Sequence, residues 1–224
     1  MSGARRGPAG WLYPEGHPHA HLAPLLLVLT FASGLVDAVS FLGLGRVFVA
    51  NMTGNVVFLG FALAGTGGLS APASATALAA FTGGALLGGR WRRDTGAARL
   101  LSPLVAGQAG LVGVALAAQA WGLGRYAVLV PLAAGMGLQN AVVHRLGVPD
   151  LTTTVLTRTL TGLAADPLYP AALRRGLSVV ALACGALAGA LVHAGPGPVW
   201  VLGAVLVLLA AVGVAACRSG RSAV

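Results

Sequence analysis

Six long apolar runs divide the chain: Leu22 to Gly45, Ala71 to Trp91, Leu100 to Trp121, Tyr126 to His144, Leu177 to His193 and Val199 to Cys217. Each is long enough, as a helix, to cross the roughly 30 Å hydrocarbon core of a bilayer. Two polar interruptions stand out against them: Asn51-Met52-Thr53-Gly54-Asn55, and the threonine-rich run from Leu151 to Thr159. Lipid cannot satisfy the backbone and side-chain polar groups of such segments, so at membrane depth they must be buried in protein or line a cavity. The pattern predicts an all-α integral membrane protein with about six transmembrane helices and two re-entrant or broken segments, 47 to 65 and 149 to 165.

Composition agrees with this reading. Apolar residues make up 57% of the 224 and charged residues only 8%, which leaves no stretch for a soluble domain. The expected organisation is a polar tail over 1–21, a single membrane domain over 22–217 and a short tail over 218–224. Every basic residue is Arg, and the net charge of +9 sits mainly at the ends and in the connections. That distribution points to membrane orientation rather than nucleic-acid binding, with membrane lipids as the electrostatic partner.

The chain also repeats itself. Leu35-Val36-Asp37-Ala38-Val39 aligns with Leu138-Gln139-Asn140-Ala141-Val142, and Thr53-Gly54-Asn55 with Thr157-Arg158-Thr159. Further along, Gly84-Ala85-Leu86-Leu87-Gly88 aligns with Gly185-Ala186-Leu187-Ala188-Gly189, and the last span of each copy is read as opening on a proline, Pro103 or Pro198. Four matches in one order make 22–121 and 125–217 two copies. The Arg clusters at 5–6, 90–99, 174–175 and 218–221 belong on the cytoplasmic side. All four reach one side only if both polar segments return to the face they entered, which makes the two copies inverted repeats and places both termini in the cytoplasm.

At these residues the chain resembles the YoaK-like family of bacterial inner-membrane proteins, a domain of unknown function (1275). The strings that carry the resemblance are Gly34 to Ala38, Phe48 to Asn55, Gly137 to Val142 and Pro149 to Thr154. The resemblance implies a multi-span protein of the bacterial cytoplasmic (inner) membrane and brings no substrate or reaction. Arg158 departs from the family pattern, which has Gly there.

Asp37 is the one acidic residue well inside a confident span, and an unpaired charge there costs several kcal/mol. It is the leading candidate for an ion- or proton-coupling group; the competing reading is a structural acid bonded to a neighbouring helix. The candidate substrate- or ion-binding set is Asp37, Asn51, Thr53, Gly54, Asn55, Gln139, Asn140, Thr153 and Thr157. Thr53 to Asn55 are read as a break before a helix beginning at Val56, with a capped structural break as the alternative. Thr153, Thr157 and Thr161 are read as a hydroxyl stripe on one helix face. The Gly84/Gly88 and Gly185/Gly189 pairs are read as close-packing seams within the chain, with a homo-oligomer as the alternative, and Cys184 and Cys217 as buried thiols.

His17, His19 and His21 are read as part of a tail, not a metal site. No nucleotide-binding loop, metal-binding helix pair or nucleophile with a base is present, so no cofactor and no enzymatic activity are expected. The function these features favour is small-solute or ion transport, or a channel. The alternative is a non-catalytic membrane subunit or assembly partner.

Overall fold

The computed structural model describes residues 13, 20, 22–90, 97–148, 151, 153, 156–165 and 170–221. Eight helices follow in order: α1 (Ala23–Gly43), α2 (Met52–Leu63), α3 (Ala71–Arg90), α4 (Ala97–Ala120), α5 (Gly124–Leu146), α6 (Leu156–Ala165), α7 (Ala171–Ala194) and α8 (Pro198–Arg221). Six of them, α1, α3, α4, α5, α7 and α8, are long and apolar enough to cross a membrane. With 12 and 10 residues, α2 and α6 reach only about 18 and 15 Å at 1.5 Å per residue.

Spans α1 and α7 pack together, as do α3 and α5, and each pairing joins one half of the chain to the other. Glycine makes the contacts close. A Cβ added at Gly34 would overlap the Leu182 carbonyl of α7, and one at Gly185 would overlap the Phe31 carbonyl of α1. The second pair repeats this residue for residue: a Cβ at Gly137 would overlap the Phe81 carbonyl of α3, and one at Gly84 the Ala134 carbonyl of α5. Gly189 lies on Leu35 and Ala38 as Gly88 lies on Leu138 and Ala141. The glycine pairs therefore serve packing inside the chain, as small residues do where spans approach closely.

These contacts also fix helix direction. Phe31 meets Gly185, Leu35 and Ala38 meet Gly189, and Gly43 meets His193, so α1 and α7 run the same way. By the matching contacts α3 and α5 also run together. In contrast α4 and α8 are antiparallel, because Ser102 lies 3.2 Å from Cys217 while Val105 faces Gly213. Short turns at 121–123 and 195–197 make α4/α5 and α7/α8 antiparallel hairpins. It follows that α3 runs opposite to α1, and α7 opposite to α5. Since α1 and α3 are antiparallel, the chain between them starts and ends at the same face, and α2 does not cross; the same holds for α6 between α5 and α7.

Two helix boundaries and the exposure of two cysteines differ from the sequence reading. Pro198 is the first residue of α8, but Pro103 lies inside α4, which begins at Ala97, so the proline match does not mark equivalent helix starts. Pro103 is the seventh residue of α4, past the first turn, so its missing N–H leaves one i→i−4 hydrogen bond unmade. In turn, α7 begins at Ala171, which puts Arg174 and Arg175 in its first turns instead of in a connection. Arg174 is buried with its guanidinium 4.6 Å from the centre of the Tyr13 ring. Cys184 and Cys217 are free and exposed on the helix surface, contrary to expectation.

Candidate functional site

After α1 the chain turns back on itself. Gly45 (φ 103°) and Arg46 (φ 56°) take left-handed conformations, the first of which suits glycine. The reversal brings 47–50 back alongside α1, where the side chain of Asp37 receives it. The N–H groups of Val49 and Ala50 both donate to Asp37 Oδ1, at 2.9 and 2.8 Å. Among the described residues Oδ2 accepts no hydrogen bond. Asp37 is itself only partly buried, while Val47, Val49 and Ala50 are buried.

A second clamp lies seven residues further along. Asn55 is fully buried; its Oδ1 accepts from Phe48 N–H at 2.9 Å and its Nδ2 donates to the Phe48 carbonyl at 2.6 Å. The Phe48 ring stacks between Phe41 of α1 and Phe58 of α2, with centroids 5.0 and 5.7 Å away. Gly54 is small for a related reason: a Cβ there would stand 3.0 Å from the Phe48 ring. Asp37, Phe48 and Asn55 thus tie the end of α1, the returning segment and α2 into one unit.

Helix α2 starts at Met52, not Val56, and its N-cap is Asn51, whose side chain accepts from Gly54 N–H at 3.3 Å. Asn51 is the better cap because its side-chain oxygen reaches the amide three residues on. Thr53, Gly54 and Asn55 consequently lie in the first helical turn, with Thr53 exposed.

The equivalents in the second half are arranged differently. Asn140 Nδ2 donates to the Met136 carbonyl of its own helix at 3.0 Å. Thr153 is buried, with no hydrogen-bond partner for Oγ1 among the described residues, and precedes α6, so the threonine stripe comprises only Thr157 and Thr161. Thr157 is exposed and its carbonyl accepts from Thr161 Oγ1 at 2.9 Å. Arg175 braces α6 by donating to the Gly162 carbonyl at 2.6 Å. The helix α6 packs on α7 and α2 packs on α3. Expectations about His17, His19, His21, Pro149, Asp150, Thr152, Thr154 and the Arg158 side chain fall outside the described residues.

Gln139 belongs to a separate polar cluster at the centre of the bundle. Gln108 Nε2 of α4 donates to Gln139 Oε1 at 2.7 Å, Gln139 Nε2 to Ser33 Oγ of α1 at 3.1 Å, and Ser33 Oγ to the Leu29 carbonyl at 2.9 Å. All three side chains are fully or almost fully buried, and Gln108 Oε1 has no hydrogen-bond partner among the described residues. Sequence reasoning missed Ser33 and Gln108, although an amide in the middle of an apolar run was the signal that could have found Gln108.

A family model described as "Protein of unknown function (DUF1275)" matches residues 25–215. The chain belongs to this family. The UPF0700 transmembrane protein YoaK of Bacillus subtilis (strain 168) is 32% identical over 166 residues, covering 66% of this chain and 68% of that relative. No solved structure matches. Both findings agree with the six apolar helices in making this member of the DUF1275 family a multi-pass membrane protein. The family match begins two residues into α1 and ends within α8, so both clamps and the glutamine cluster lie inside it.

Proposed function

We propose that the protein is a small-solute or ion transporter, or a channel on the same scaffold, of the bacterial inner membrane, with Asp37 as its ion-coupling group. The observation that carries this reading is the one-sided use of the Asp37 carboxylate. Among the described residues both donors go to Oδ1, and none goes to Oδ2. On a spanning helix an oxygen so placed needs a proton, a cation or water, because hydrocarbon offers it no partner.

The packing adds support. Corresponding helices α1 and α5 run in opposite senses, corresponding glycines make corresponding contacts, and each half has one short helix that stays on its own side. Two inverted copies with discontinuous elements are a common transporter architecture. Among described side chains, Arg90, Arg145, Arg174, Arg175 and Arg218 lie at one end of the bundle and Arg46 and Arg125 at the other. The richer end is the cytoplasmic one in this reading, and both termini lie on that side. We assign no catalytic reaction.

A second reading, a membrane subunit or assembly partner without transport activity, is favoured by one feature. Asn55 and Gln139 spend their side chains on protein partners, as architectural residues do. Reconstitution separates the two. In proteoliposomes loaded with a pH- or Na⁺-sensitive dye under an imposed membrane potential, the native protein should give flux above empty vesicles, and Asp37→Asn should lose it. Asn retains an Oδ1 for the two amides, so thermal unfolding in detergent should change little. Flux and ion dependence unchanged by Asp37→Asn would defeat the coupling role.

A further inference from the structure

A cleft of about 500 Å³ runs between α4 and α8. Its walls include Val105 and Ala109 on one side and Leu209 and Gly213 on the other, and Ser102, Cys217 and Arg218 stand at one end. We propose that this cleft binds an acyl chain of an anionic phospholipid, with the phosphate held by Arg218.

Both helices are apolar spans, so the opening faces hydrocarbon rather than water. An apolar trench left empty there forfeits dispersion contacts along its whole lining, and the bilayer supplies chains to fill it. The trench follows α8 from Leu209 to Arg218, about 13 Å at 1.5 Å per residue, so a chain lying along it brings its headgroup to Arg218.

Charge selects the headgroup. Arg218 is exposed at the end of the cleft, and the sequence places Arg99 and Arg221 at the same end of the same two helices, neither of which contains an acidic residue. Basic residues at a membrane surface attract anionic headgroups, and Arg holds phosphate through paired N–H groups. Small residues keep the cleft open. A Cβ on Gly213 would meet Val105 only at ordinary contact distance, 3.5 Å, so the helices meet lightly there and leave room beside the contact.

Native mass spectrometry of the full chain, equilibrated in detergent with equal amounts of phosphatidylglycerol and phosphatidylcholine, tests the proposal. The native protein should retain phosphatidylglycerol over phosphatidylcholine by about fivefold, the factor expected of one Arg near the headgroup layer. Arg218→Gln should remove the preference while total bound lipid stays similar. Ala210→Phe or Ala106→Phe, each placing a ring in the cleft from its exposed rim, should remove the bound lipid with Arg218 intact. Either variant eluting as a monodisperse species suffices for that comparison. Equal retention of the two lipids by the native protein, or unchanged phosphatidylglycerol retention in the filled variants, would overturn the proposal. So would efficient Cys217–Cys217 disulfide capture between two copies in native membranes, which would show a second chain covering the cleft.

Discussion

The amide of Asn55 pairs with the backbone of Phe48 at both ends, accepting from its N–H at 2.9 Å and donating to its carbonyl at 2.6 Å. A side chain here replaces the strand or helix partner that this non-helical backbone lacks. Asn55→Ala removes both bonds and leaves two part-buried backbone groups without these partners, so it should cost about 1–3 kcal/mol. Asn55→Asp should be at least as harmful, since an ionised carboxylate cannot donate to the Phe48 carbonyl. Thermal unfolding in detergent checks both, and a near-native Tm for Asn55→Ala would refute the clamp.

Neighbouring glycines in α3 should respond with opposite sign. Nothing lies within 4 Å of a Cβ added at Gly83, whereas at Gly84 it would overlap Ala134 of α5. Gly83→Ala should stabilise by about 0.5–1 kcal/mol through helix propensity. Gly84→Ala should destabilise by about 1–3 kcal/mol or more through overpacking. Paired melting curves decide the matter, and equal shifts of the same sign would contradict the packing described.

For the glutamine cluster, removing Gln139 alone leaves Gln108 Nε2 with only the Met136 sulfur, 3.8 Å away, and takes the donor from Ser33 Oγ, at about 1–3 kcal/mol. Removing both glutamines also removes the unpartnered Gln108 Oε1. The double variant Gln108→Leu/Gln139→Leu should therefore be less destabilised than the sum of the single variants, by about 1 kcal/mol in a double-mutant cycle. Simple additivity would mean that the two amides are not coupled.

Orientation is open to a labelling test. With Cys184 and Cys217 replaced, a cysteine at position 96, between α3 and α4, should react only with reagents admitted to the cytoplasm. One at Thr66, exposed in the turn between α2 and α3, should react from outside. Labelling of both positions from the same face would eliminate a topology in which α3 crosses the membrane.

How far these features could be read from sequence depends on the range of the interactions behind them. The six spans were legible because hydrophobicity over some twenty residues is a local property, and the glycine seams because Gly84/Gly88 and Gly185/Gly189 recur at helical spacing. Asp37 was visible as a charge in an apolar run. What it holds was not: its partners are backbone amides of Val49 and Ala50, and amides carry no sequence signature. The start of α2 was misread because Asn51 and Asn55 are both competent caps, and the Asn55 side chain is taken up by the Phe48 backbone. Ser33 and Gln108 meet Gln139 only through three helices from different parts of the chain, a convergence that no local pattern encodes.

The pairing of α1 with α7 has a consequence for biogenesis. Gly34 and Gly185 are about 150 residues apart in the chain, and at 5–20 residues per second the ribosome takes roughly 8–30 s to make that stretch. Through that interval the glycine face of α1 stands in the membrane without its mate, while α3 meets α5 after only about a third as much synthesis. The central α3–α4–α5 unit is thus assembled first, and α7 and α8 close the bundle last. A lesion at Gly185 should accordingly leave a membrane-inserted, incompletely packed chain exposed to quality-control proteases, rather than one that fails to insert.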